Sequence, residues 1–179
     1  MALMFLFLPC EQPARHETGR FYAQLTDLVS VQGRIHLNDQ LLSGQLWVYD
    51  SDGCLAQVTD LRDGLRHGMD LAYYPSGQVR SRREFEDDRG IGQHLGWWPG
   101  GLPRFEYHYQ QGKMHGTARE WAANGRLVSD RNYEMGQEKG LQRLWFADGT
   151  LRANYETRNG RKYGLTGLTD CVKREKDES

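Results

Sequence analysis

GKMHGTAREWAANGRLVSDRNYEM, residues 112–135, is the stretch from which the fold can be read. It opens on two glycines separated by three residues, Gly112 and Gly116. An aromatic, Trp121, follows five residues after the second glycine, and a third glycine, Gly125, follows nine after it. The same spacing recurs every 24 residues in both directions without a gap. The second glycines are Gly44, Gly68, Gly92, Gly116, Gly140 and Gly164; the aromatics are Tyr49, Tyr73, Trp97, Trp121 and Trp145; the third glycines are Gly53, Gly77, Gly101, Gly125 and Gly149. A fixed period of this size is the signature of a repeat architecture, in which each unit is one supersecondary element stacked on the next.

Within a unit the pattern reads as a hairpin. An apolar strand ends on an aromatic pair, as in DLAYY, HLGWW and QRLWF. A tight turn closed by glycine follows (PSG, PGG, ANG, ADG), where a positive φ is needed and glycine adopts it without steric cost. The second strand alternates with period two: Phe105, Tyr107 and Tyr109 in one unit, Leu151, Ala153 and Tyr155 in another. The units close at GLRHG, GKMHG, GQEKG and GRKYG, read as turns; one copy, DRGIG, has Asp88 in place of its first glycine, with Gly90 expected to supply the flexibility. The expected fold is therefore all-β: an elongated single-sheet array of stacked hairpins over residues 44–167. Its shared interior is expected to be the column Tyr49, Tyr73, Trp97, Trp121 and Trp145, because aromatic side chains dominate the energetics of a core. The second aromatics, Tyr74, Trp98 and Phe146, fall on the opposite face. Coverage by Arg80, Arg82, Arg104 and Arg152 and presentation to a partner are equally good accounts of that row.

Outside the array, residues 20–43 do not fit the 24-residue register. Phe21, Tyr22, Leu25, Leu28, Val29, Val31, Ile35 and Leu37, cut by turns at Gly33 and Asn38-Asp39, predict short strands that cap the stack, with a short helix over 22–28 also compatible. Residues 11–43 thus divide into a polar linker and a β cap, and 168–179 form a charged tail. Residues 1–10, MALMFLFLPC, are too short to span a bilayer. An apolar run ending at Cys10 resembles a bacterial lipoprotein signal, which makes Cys10 a lipidation candidate and the cell envelope the expected location, with the cytoplasm as the alternative.

Charge is balanced, with 23 Lys+Arg against 24 Asp+Glu, so no nucleic-acid partner is expected. Three cysteines at irregular spacing make no disulfide framework. In a linear stack Cys54 and Cys171 lie about five hairpins apart, so no bond between them is expected.

GKMHG, with Tyr109 before it and WAANG after it, resembles the variant form of the MORN repeat. The resemblance covers residues 44–164. It implies an elongated sheet of stacked hairpins, and protein interaction, dimerisation or, in some members, acidic lipids as its use. Similar proteins are commonly labelled YwqK-family antitoxins.

No P-loop, GxSxG or HExxH motif occurs. His67 and His115 hold equivalent places two units apart, about 19 Å at the spacing of strands, too far to share an ion. Neither a metal nor another cofactor is expected. Glu120 and Glu134 lie near tryptophans and are the carboxylates a glycosidase reading would draw on; a groove lined by Trp97, Trp98 and Trp121 is the site an enzyme reading would need. The preferred reading is a non-catalytic scaffold for a protein partner, tethered through Cys10. The alternatives are a cytosolic antitoxin that binds a toxin, and an enzyme.

Overall fold

The structure, a computed structural model, describes residues 19–24 and 27–167. Among them β1 (Arg20–Gln24) is followed by a small group, β2 (Leu28–Val31), β3 (Arg34–Leu37) and β4 (Gln40–Leu41). The array then runs β5 (Gly44–Tyr49), β6 (Leu55–Arg62), β7 (Leu65–Tyr73), β8 (Val79–Glu86), β9 (Arg89–Trp97), β10 (Pro103–Gln110), β11 (Lys113–Trp121), β12 (Leu127–Glu134), β13 (Gln137–Glu138), β14 (Gly140–Trp145), β15 (Leu151–Arg158) and β16 (Arg161–Leu165). From β5 onward each strand pairs antiparallel with the next in sequence, with β13 and β14 both pairing β12. β1 joins the edge by pairing parallel to β5. The chain is the all-β hairpin array that its period implies. Residues 22–24 lie in β1, a strand rather than a helix.

Two turn types alternate along it. After each aromatic comes a four-residue turn closed by a glycine: Gly77 N donates to Tyr74 O at 2.8 Å, and the same bond recurs from Gly53, Gly101, Gly125 and Gly149. The other turn is a two-residue loop with both residues left-handed, such as Asp63-Gly64 (φ 50° and 74°) and Gln111-Gly112 (φ 51° and 77°). At the deviant copy Asp87 and Asp88 take φ 47° and 63°, so Asp88 itself fills the glycine position and Gly90 supplies nothing. In four of these turns the second residue is tied to the preceding hairpin: Gly64 N donates to Leu42 O, Asp88 N to Arg66 O, Gly112 N to Gly90 O and Gly136 N to Met114 O, at 2.7 to 2.9 Å. Aspartate tolerates the left-handed region and keeps this donor. Its carboxylate also accepts from Arg66 N at 3.1 Å and Arg66 Nε at 2.6 Å.

The second glycine of each GxxxG is not part of a turn. Gly68, Gly92 and Gly116 lie inside strands at positive φ, where the register slips against Asp60, Arg83 and His108. These are β-bulges. The bulge turns a backbone group toward a polar side chain on the partner strand: Met69 N donates to Asp60 Oδ2 at 2.9 Å, and Asn132 Nδ2 donates to Leu141 O at 2.6 Å. A second bulge recurs every 24 residues where the first aromatic faces the next strand, with the register slipping past Ala56, Arg80, Arg104, Val128 and Arg152.

The main apolar core lies at the N-terminal end rather than along the aromatic column. Leu42, Leu46, Val48, Leu61 and Ala23 are buried together, with Phe21, Leu28, Ile35 and Leu37 packed against them. Of the column itself only Tyr49 is buried; Tyr73, Trp97, Trp121 and Trp145 are half-buried. All five keep equivalent register, opposite Leu55, Val79, Pro103, Leu127 and Leu151. A single-layer sheet has no second layer to close over such rings, so the column contributes less burial than a packed core.

Cys54 is disulfide-bonded. Cys10, Cys171 and the expected Cys54–Cys171 separation lie outside the described residues.

Candidate functional site

Register assigns the faces, since residues paired across strands share one. One row runs Trp47, Val58, Leu71, Arg82, Leu95, Glu106, Arg119, Asp130, Arg143 and Asn154. Its C-terminal half is an ion ladder: Arg119 Nη1 lies 3.8 Å from Glu106 Oε2 and its Nε 3.3 Å from Asp130 Oδ1, and Arg143 Nη2 lies 2.6 Å from Asp130 Oδ2. Those charges neutralise one another across the strands.

The opposite face carries the row Val48, Gln57, Ala72, Ser81, Gly96, Phe105, Glu120, Ser129, Leu144 and Ala153. Ala72, Ser81 and Gly96, all small, lead up to one side of Phe105 here, and Glu120 stands on the other. A methyl group at Gly96 would stand 2.2 Å from Phe105 Cε1, so the ring lies directly on the Gly96 backbone. Phe105 stacks on Tyr107 with centroids 4.8 Å apart and planes 14° apart. Behind them His94 packs between Phe85 (5.3 Å) and Tyr109 (4.4 Å).

Over these rings opens a groove of about 730 Å³ floored by β8, β9, β10 and β11. Trp98, Trp121, Ala122 and Val128 line one end and Arg66, Phe85 and Gly90 belong to the same wall system, with Arg83, Arg104 and Glu120 between. A smaller pocket of about 220 Å³ shares Arg83, Arg104 and Phe105 with it and adds Arg80, Ser81 and Asp70. Guanidinium groups lie over the aromatic faces: Arg66 over Phe85 at 4.0 Å, Arg104 over Trp98 at 4.8 Å and Arg83 over Phe105 at 5.8 Å.

The acidic groups of the groove are already engaged. Tyr107 Oη donates to Glu120 Oε1 at 2.6 Å. Burial, reinforced by that carboxylate, pushes the Tyr107 phenol well above its ordinary value. Buried Asp70 accepts from Gln57 Nε2 at 2.5 Å and Thr59 Oγ1 at 2.7 Å. Burial lowers the His94 imidazole below its ordinary value, with Arg83 adding repulsion, and its Nε2 lies 2.9 Å from the Glu84 carbonyl. His94 is therefore held neutral as a structural donor.

The residues singled out from sequence are distributed as follows. The repeat-defining Gly68, Gly92, Gly116 and Gly140 sit at positive φ in or beside bulges, and Gly77, Gly101, Gly125 and Gly149 close turns. Tyr73, Trp97 and Trp145 do not line the groove, whereas Trp98 and Trp121 do. Tyr74 and Trp98 also bridge units: Tyr74 Oη donates to Trp97 O and Trp98 Nε1 to Trp121 O, both at 2.9 Å. Glu134 pairs with exposed Lys139, far in sequence from the Tyr107–Glu120 contact. His67 lies 3.2 Å from Asp87, and the Nδ1 of His115 is buried with no hydrogen-bond partner. Among the described residues no group of three or more His, Cys, Asp and Glu is placed to hold a metal ion. No helix among them is long and apolar enough to cross a membrane. Sequence reasoning passed over Gly96, Phe105 and Arg83 as groove elements; the only signal was a glycine inside HLGWW, where a strand should carry a side chain.

Compared with protein-family models and with curated proteins, the sequence matches none.

Proposed function

We propose that this protein is a non-catalytic binding scaffold, a variant-MORN-type hairpin array that presents its grooved face to a protein partner. The observation that carries the reading is the groove itself. It is assembled from successive units, with Trp98 just beyond β9, Phe105 on β10 and Trp121 on β11, and it mixes aromatic rings with arginines, the side chains enriched at protein interfaces. The polar groups beneath it support the same reading, because they hydrogen-bond to one another or to the backbone. An antitoxin is the case in which the partner is a toxin.

The test places a photo-crosslinking amino acid in the full chain at Ala122, in the groove, or at Gln93, exposed and paired with His108 on the opposite face. Adducts with a protein are expected from position 122 and not from 93. No adduct from either, or equal adducts from both, would remove the reading. The tether is a separate part of the proposal: palmitate labelling in the native host should be lost in Cys10→Ala, and an unlabelled wild-type chain rules the tether out.

A further inference from the structure

We propose that the groove takes a short acidic peptide segment of the partner, with its carboxylates on Arg83 and Arg104 and an apolar or aromatic side chain against Phe105 and Trp98. This rests on the scaffold reading above and gives the partner a chemistry.

The argument is one of unmatched charge. Arg62, Arg66, Arg119, Arg131, Arg143 and Arg158 each lie within ion-pair distance of a carboxylate. Arg34, Arg82, Arg89, Arg126, Arg152 and Arg161 make no ion pair among the described residues, and neither do Arg80, Arg83 and Arg104, but these last three line the two cavities, where Asp70 and Glu120 beside them are hydrogen-bonded to Gln57, Thr59 and Tyr107. Against these three guanidinium charges stand the carboxylates of Asp70, the cross-strand partner of Arg83, and Glu120, which leaves one positive charge in excess where the two cavities meet at Arg83, Arg104 and Phe105. A guanidinium resting on a ring is held with its planar donor fork already oriented, and that fork matches a carboxylate in bidentate fashion. Stacked Phe105 and Tyr107 supply the apolar floor beside it. The groove crosses four strands, about 14 Å at the strand spacing, which is roughly the length of four extended residues.

The same ingredients serve single-stranded nucleic acid, but that ligand needs a basic track following many phosphates. This chain carries a net charge of −1, and the C-terminal half of the opposite face is an ion ladder. A local anion spot fits carboxylates on one short segment better than a polyphosphate.

The experiment titrates the full chain with the capped heptapeptide Glu-Ser-Phe-Ser-Glu-Ser-Phe, in which alternate residues face one side, and measures heat of binding. Saturable binding is expected, weakened at least tenfold when both Glu are replaced by Gln, and at least tenfold by R83Q/R104Q. R82Q removes the same kind of charge from the opposite face of the same strand and should change affinity less than twofold. Circular dichroism of each variant checks that the sheet persists. Absence of saturable binding at millimolar peptide would overturn the proposal, as would equal loss in R82Q. So would tighter, R83Q/R104Q-sensitive binding of a dodecamer of thymidylate, or an R83Q/R104Q-sensitive dimer of the chain itself. If crosslinking from position 122 survives in R83Q/R104Q, the scaffold reading stands and the acidic-segment proposal falls alone.

Discussion

Gly68 and Gly116 occupy the same place in the repeat yet differ in what a side chain would meet. At Gly68, φ is 113° and a methyl would stand 2.8 Å from Asp60 Oδ2, in a bulge where that carboxylate accepts from Met69 N. At Gly116, φ is 94° and the nearest atom is His108 Cβ at 3.6 Å, an ordinary contact. Both replacements carry the backbone cost of a left-handed residue, about 1–3 kcal/mol. Only Gly68→Ala adds a clash with a group tied to the backbone. Urea unfolding should therefore show Gly68→Ala to be the more destabilising of the two, and Asp60→Gly in the Gly68→Ala background should recover part of the difference. The glycines were legible as a period, but their purpose was not. A five-residue GxxxG reads as a turn, and only the partner strand shows that its second glycine makes room for Asp60 or Glu84.

The hairpins are joined at both ends by bonds that repeat with the unit. On one side the two-residue turns donate to the preceding hairpin, as Gly112 N does to Gly90 O. On the other, Tyr74 and Trp98 donate to the next unit's aromatic carbonyl. Ala122 holds the third place in that second series and has no donor to offer, so the Trp145 carbonyl receives nothing from it. Trp98→Phe should lower stability by about 1 kcal/mol, the net worth of one hydrogen bond, with some loss of the Arg104 contact added. Ala122→Tyr should raise the thermal midpoint by supplying the missing bond. A melt in which Ala122→Tyr is neutral or destabilising would show that the alanine is needed for the open end of the groove. Sequence showed Ala122 as an interruption of the aromatic row. The hydrogen bond that the interruption removes spans 23 residues in Trp98 and is visible only when units are stacked.

Across the described residues, strands pair with their neighbours in the sheet, and the main apolar cluster among them sits at the N-terminal end. Stability should then be close to a sum over units and their interfaces. Deleting residues 112–135 joins Gln111 to Gly136 and keeps a left-handed pair at the turn (φ 51° and 88°). The shortened chain should fold, with a smaller urea m value because less surface is buried, and a lower midpoint. Complete loss of structure would mean that the array folds as one indivisible core. Leu46→Ala, in the N-terminal cluster, should cost more than Trp97→Ala despite the smaller side chain, because Leu46 is 2% exposed and Trp97 is half-buried.

The repeating unit, its two strands and the glycines that let its turns adopt positive φ follow from the sequence alone. All of them are local: a 24-residue period, period-two alternation and a tight turn depend on residues close together in the chain. Tertiary structure decided which of the aromatics are buried, since a single-layer sheet leaves most of the first column half-open while side chains between Phe21 and Leu61 gather a core at one end. It also decided where the groove lies, because Arg83, Trp98, Phe105 and Glu120 meet only when strand register lays Phe105 over Gly96 and places its neighbours around it. Register between strands is set by bulges and turns summed over several units, and a sequence pattern read one unit at a time does not carry that sum.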